Sequence, residues 1–179
     1  MKKRILSFVG LSAMALLLVM SSCKKNETAD ALVIDQTKTC TLTGHVYAIL
    51  NMVDFMNDNN YQNVPSGTTM YFKVYNNNYY LSSASGFKMY STTVGSDGTY
   101  SVAIPVSPIG AVNVTVSFSD FQADQTQAKW DVATSKYVAD GTERKIYHMS
   151  DVSETISHEG TELTGDYFYS YSDVFIPSK

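Results

Sequence analysis

The sequence predicts an all-β fold, an antiparallel β-sandwich of about eight or nine strands, and three observations lead there. Apolar and polar residues alternate with a period of two in several stretches, the pattern of a strand with one face in a core and one in solvent. The composition favours strands: 13 Tyr and 8 Phe in 179 residues, with many Thr, Ser and Val and few of the residues that fill helices. Turn-forming Gly, Pro, Asn and Asp fall between the alternating stretches at the spacing of a sandwich.

The N-terminus reads as export machinery. Lys2-Lys3-Arg4, an apolar run from Ile5 to Met20 and Ser21-Ser22-Cys23 make the n-region, h-region and small-residue end of a secretory signal. The run is shorter than the ~20 residues of a spanning helix, so a permanent transmembrane helix is the second reading. Leu18-Val19-Met20-Ser21-Ser22-Cys23 resembles a bacterial lipobox, with Met20 where a Leu is usual. The resemblance implies cleavage before Cys23 and acylation of its thiol, and two or more acyl chains suffice for stable anchoring. It also implies, from Lys24 after the cysteine, an outer-membrane lipoprotein; the periplasmic or surface side stays open. The alternative pairs Cys23 with Cys40 in a disulfide that would staple only a polar tail.

On this reading residues 1–22 are a signal peptide, 23–38 a lipidated tether and 39–179 a single β-sandwich domain. Leu32-Val33-Ile34 is expected to dock as a short edge segment. Without Lys2, Lys3 and Arg4, ten basic residues face 17 acidic ones, a net charge of -7. That balance argues against a nucleic-acid partner.

In the folded part, Thr39 to Leu50 sets Cys40, Leu42, Gly44, Val46, Ala48 and Leu50 on the core phase, opposite Thr41, Thr43, His45, Tyr47 and Ile49. Cys40 is expected to be a buried free thiol, since a lone inward cysteine behaves as a small hydrophobe; the nucleophile reading needs a base and an oxyanion site that no motif supplies. Asn51 to Pro65 is a long connection with room for one short helical turn around Met52, Val53, Phe55 and Met56. Met70, Phe72 and Val74 alternate with Tyr71, Lys73 and Tyr75 in a second strand that ends at Asn76-Asn77-Asn78. Tyr79, Tyr80 and Leu81 begin a short strand or exposed ribbon.

Gly86 to Val94 leads into Gly95-Ser96-Asp97-Gly98, a strong hairpin signal, after which Tyr100, Val102, Ile104 and Val106 alternate inward. Val112, Val114, Val116 and Phe118 form the cleanest alternation. From Asp120 to Thr142 the pattern is looser, with Trp130, Val132, Tyr137 and Val138 as candidate inward residues and Asp140-Gly141 as a turn. Glu143 to Ser150 and Asp166 to Ser172 complete the strands.

Leu42-Thr43-Gly44-His45-Val46, Val64-Pro65-Ser66-Gly67-Thr68-Thr69-Met70-Tyr71-Phe72, Thr92 to Tyr100 and Val114-Thr115-Val116-Ser117-Phe118 fall in an order that resembles the carboxypeptidase regulatory-like, or transthyretin-like, domain. The resemblance covers about residues 39–121 and implies an Ig-like (transthyretin-like) antiparallel β-sandwich used as a noncatalytic spacer, docking or binding module on exported proteins. It leaves residues 122–179 outside, either as extra strands of the same sandwich, the favoured arrangement, or as a small appended layer.

No motif of a cofactor or an active site stands out, and no enzyme is expected: G-x-S-x-G, H-E-x-x-H and a Gly-rich phosphate loop are all missing from the sequence. His158-Glu159 with Glu162 is the one local group of possible metal ligands, and a solvated acidic loop around Gly160 is the favoured account of it. Asp120, Asp124 and Asp131 lack the spacing of a calcium loop. Aromatic residues are the surplus to explain. Tyr71 and Tyr75 lie on the phase opposite the core, and Tyr79, Tyr80 and Trp130 complete the candidate binding set, for a protein partner or, alternatively, for sugar faces on a glycan; the simpler account is that the tyrosines cover the sandwich edge or a second layer and satisfy their hydroxyls there. The expected role is a structural or protein-binding component of the cell envelope, of open oligomeric state, joined to the membrane through Cys23.

Overall fold

In the computed structural model, which describes residues 34–79, 85–108, 110–157 and 159–173, the first sheet is built around strand β1 (Thr39–Ala48). Cys40, Leu42, Val46 and Ala48 are buried and the residues between them are half-exposed, as the period of two requires. Cys40 is a buried free thiol, to which the Thr161 hydroxyl donates at 3.3 Å. Strand β2 (Gln62–Asn63) pairs with the end of β1.

The second sheet runs in the order β4 (Phe87–Thr93), β3 (Thr69–Tyr75), β6 (Val112–Phe118), β9 (Val152–Ile156), antiparallel throughout. Strand β5 (Thr99–Pro105) belongs to the first sheet, antiparallel to β1 with Cys40 opposite Ile104 and Leu42 opposite Val102. Met70, Phe72, Val74, Val112, Val114 and Val116 are fully buried, and the Phe72 ring stacks on Tyr100 of the first sheet at 6.2 Å. The result is a β-sandwich-like all-β fold, in which each such side chain contributes about 1.5–3 kcal/mol by leaving water.

Twelve strands are present among the described residues, several of only two to four residues. The C-terminal third divides its strands between three places. Strand β9 extends the second sheet. Strands β10 (Glu162–Thr164) and β11 (Tyr167–Phe168) run parallel to β1, a departure from a wholly antiparallel sandwich. Strands β7 (Phe121–Asp131), β8 (Lys136–His148) and β12 (Ser170–Asp173) make a third sheet of their own.

The third sheet is fastened where β1 ends. The Ile49 carbonyl accepts from the fully buried Gln125 amide at 2.7 Å and from the Tyr147 hydroxyl at 2.8 Å. Phe121 stacks on Tyr147 at 4.7 Å and meets Tyr169 edge-on. The nearly buried Lys145 ammonium donates to Glu143 and Asp173, which hold its pKa above the usual lysine value.

The connection after β1 is more ordered than a single turn. Helix α1 (Met52–Asp58) starts at Asn51, whose side chain accepts from the Val53 and Asp54 amides, and stops at Asn59 in the left-handed conformation. Asn57 ties it to the third sheet by accepting from and donating to the Tyr137 backbone, both at 3.0 Å.

Three expectations are corrected. The Gly95–Gly98 turn closes locally, Gly95 N donating to Thr99 O at 2.8 Å, yet β4 and β5 do not pair with each other: the turn carries the chain from the second sheet to the first. Asp140-Gly141 is a bulge inside β8, where the register shifts opposite Gln127 and Gly141 takes a φ of 92°. The reversal lies instead at residues 132–135, around the Asp131 side chain, which accepts from Ala133 N and the Thr134 hydroxyl. Trp130 and Val132, expected inward, are 53% and 81% exposed, because they sit at the end of the β7–β8 ribbon, past the sandwich.

Tyr79 and Tyr90 meet inside the sandwich. The Tyr79 hydroxyl donates to the Pro105 carbonyl at 3.0 Å. The buried Tyr90 hydroxyl has no hydrogen-bond partner among the described residues. An unsatisfied buried hydroxyl costs about 1–3 kcal/mol, so Tyr90→Phe is expected to raise the unfolding free energy by about 1 kcal/mol. Chemical denaturation measures it; a loss of stability would mean that the hydroxyl is paired.

Candidate functional site: the outer face of the second sheet

Alternation that buries Met70, Phe72 and Val74 turns Tyr71, Lys73 and Tyr75 outward on β3. Register then places Phe87 opposite Tyr75, and Met89 opposite Lys73, on β4. Tyr71, Tyr75, Phe87 and Met89 are 40%, 48%, 53% and 51% exposed, so four large apolar side chains share one patch of sheet. Tyr75 and Phe87 meet edge-on, centroids 6.3 Å apart at 76°, and the Lys73 ammonium lies 5.5 Å from the first ring and 5.8 Å from the second. Those distances are within reach of cation–π attraction.

Toward the opposite edge the same face becomes hydroxyl- and amide-rich. Asn113, Thr115 and Ser117 of β6 and Ser153 and Thr155 of β9 occupy the outward positions, with the Thr155 hydroxyl donating to Asn113 at 3.0 Å. Lys73 is the one charged residue at an outward position of the four strands. Isolated exposed hydrophobics are ordinary on a protein surface; a contiguous set on one sheet face makes this the candidate site.

Of the residues expected to bind, the structure therefore brings Tyr71 and Tyr75 together. Tyr79 does not belong with them: it is fully buried, its ring inside the core and its hydroxyl bound to Pro105. Burial pushes its pKa well up. Trp130 stands apart, against Tyr137 at 5.2 Å near the end of the third sheet's ribbon. Strand β7 leaves the second sheet at the Thr69 end of β3, and Tyr75 is at the other end. Nine residues of strand from Phe121 then carry Trp130 a further ~30 Å. Tyr80, Cys23 and His158 lie outside the described residues.

Phe87 and Met89 were missed because β4 mixes polar and apolar residues on both phases; only its register with β3 shows which of them join the tyrosines. A second outward aromatic set was missed as well. His45, Tyr47, Phe168, Tyr61 and Phe55 contact one another in sequence, at 5.7, 5.3, 4.9 and 5.3 Å. These rings fasten the α1 connection onto β1 and β11, and Phe168 and Tyr61 in the middle of the row stay 47% and 38% exposed.

The acidic residues have local roles. Glu159 pairs with Lys38 at 3.3 Å, Glu162 accepts from the Thr43 hydroxyl, and Asp124 pairs with Arg144. Among the described residues no group of three or more His, Cys, Asp or Glu could hold a metal ion, and no helix is long and apolar enough to cross a membrane.

Fold and site together define a β-sandwich-like protein with an exposed aromatic patch around Lys73 on the outer face of the second sheet. No protein-family model, curated protein or solved structure matches the chain.

Proposed function

We propose that this protein is a noncatalytic, lipid-anchored module of the Gram-negative outer membrane that docks another envelope protein on the outer face of β4–β3–β6–β9. The observation that carries the docking is the contiguous Tyr71, Tyr75, Phe87 and Met89 patch with Lys73 over two of its rings. Aromatic residues and Met are enriched at protein interfaces, where large rings give contact area at low entropic cost. The lipobox-like Leu18–Cys23 segment supports the anchor.

Glycan binding is the second reading, favoured by the exposed tyrosines beside a row of hydroxyls and amides. Sugar stacking wants open ring faces set in one plane. Tyr75 and Phe87 stand at 76° to each other, with the Lys73 ammonium near both, which favours a protein partner.

Two experiments test the two halves. Cys23→Ala is expected to abolish acylation and move the protein out of the membrane fraction; unchanged fractionation would refute the anchor. Chemical crosslinking of intact envelopes is expected to give a discrete adduct that Tyr75→Ser combined with Phe87→Ser removes, with thermal unfolding unchanged. An adduct indifferent to that pair of substitutions, or binding to an insoluble polysaccharide that depends on it, would contradict protein docking at this face.

A further inference from the structure

Strand β4 is an outer edge of the second sheet. Asn76 N donates to Gly86 O at its start and Val94 N to Thr68 O at its end. Because an antiparallel ladder alternates, residues 88, 90 and 92 turn their backbone groups toward β3. Phe87, Met89, Ser91 and Thr93 turn theirs outward, and among the described residues no hydrogen bond engages them. The register with β3 is continuous and the strand contains no proline. Most devices that blunt a sheet edge are therefore missing, and an edge of this kind is a template for another strand.

One device is present, and it selects the occupant. Lys88 lies on the inward phase, half-buried and opposite the fully buried Val74. A second sandwich joined edge to edge would carry its own core layer over that ammonium and strip its water. A single extended segment leaves the ammonium wet. The charge of the strip is equally selective: in a chain of net charge -4, no Asp or Glu occurs between Asp58 and Asp97, a stretch that includes Lys73 and Lys88.

We infer that β4 accepts an extended, acidic segment of the partner protein as an added strand. Its backbone pairs with Phe87, Met89, Ser91 and Thr93, its apolar side chains cover Phe87 and Met89 on the outer face, and its carboxylates, on the opposite phase, face Lys88. Main-chain bonds supply affinity in this mode and alternate side chains supply specificity. The inference rests on the docking reading above and adds the mode and the chemistry of the occupant.

The test uses amide hydrogen exchange and side-chain NMR on the purified chain. The probe is a synthetic peptide in which Val alternates with Glu and Thr, with the same peptide carrying Lys for Glu as its counterpart. The Glu peptide is expected to slow exchange at Phe87, Met89, Ser91 and Thr93, and the Lys peptide to bind about fivefold more weakly, as reversing the charge that faces Lys88 would give. Ser91→Pro removes an outward N–H, a place where an edge strand tolerates proline, and is expected to abolish the protection with thermal unfolding retained. Thr93→Pro serves the same purpose if that variant does not fold.

Three results would overturn the inference. Shifts of the Tyr71 and Tyr75 rings at millimolar peptide without protection of the four amides would reject strand addition and leave the docking face standing. No response at either place would reject both. Protection of the four amides without peptide, together with a doubled mass in solution, would make the occupant a second copy of the chain.

Discussion

Replacing Gly44 by alanine is expected to cost about 3–5 kcal/mol, from a steric clash added to an unfavourable backbone conformation. A methyl group built at Gly44 would stand 2.0 Å from the Gly165 carbonyl oxygen and 2.7 Å from its carbon, and both are backbone atoms. The close approach has a structural purpose. Strands β10 and β11 both run along β1, and Gly165 bridges them by donating to the Thr43 carbonyl at 2.9 Å. Asp166 next to it accepts the His45 amide at 2.9 Å, replacing the lost ladder bond. A side chain at position 44 would push this junction off the sheet. Thermal unfolding should drop by roughly 10–20 °C. Gly67 is the control: it also has a positive φ, 88°, but its added methyl meets nothing within 4 Å, so Gly67→Ala should cost only about 1 kcal/mol. Equal losses at the two positions would reject the clash as the cause.

Raising the pH is expected to unfold the protein through its buried tyrosines. Burial pushes the pKa of Tyr79, Tyr100, Tyr147, Tyr167 and Tyr169 above the ordinary value of 10, that of Tyr100 to about 12. Each folded-state pKa is raised, so the native state holds its proton more tightly than the unfolded chain does. The stabilisation is complete below pH 10 and is lost as pH rises from there through about 12 for Tyr100 and through the raised pKa of each of the others. Hydrogen bonds sharpen the effect: the Tyr100, Tyr167 and Tyr169 hydroxyls donate to Gly165 O, Glu154 and Ser119 O at 2.9, 2.9 and 2.8 Å. None of those acceptors tolerates a tyrosinate. Circular dichroism followed with tyrosinate absorbance should show the sheet signal and the buried hydroxyls failing together. A native sheet signal at pH 12 with those hydroxyls ionised would contradict the packing.

Local alternation made the inward faces of β1, β3, β5 and β6 legible in the sequence, and it put Tyr71 and Tyr75 outside. Alternation reports a face but not a partner. Gly95-Ser96-Asp97-Gly98 forms its turn as expected, yet the pairing of β4 with β3 and of β5 with β1 is decided by long-range burial that no local pattern encodes. Asp140-Gly141 has the composition of a turn and serves as a bulge, since both use a glycine at positive φ. Trp130 and Val132 read as core because they are apolar, although they extend past the layer that would cover them. Tyr79 shows the converse: its amide-rich neighbours suggested exposure, and a single carbonyl, that of Pro105, lets the ring go inside. The patch itself was half legible, because Phe87 and Met89 join it only through cross-strand register.

Placing a photo-crosslinking residue in turn at Met89, Thr115 and Val132 of the otherwise intact chain, and irradiating living cells, tests the docking face most directly. The patch predicts one discrete protein adduct, strongest from Met89 at the β4 edge, weaker from Thr115 on the same face and negligible from Val132 at the ribbon's end. An adduct strongest from Val132, or none from Met89, would contradict it.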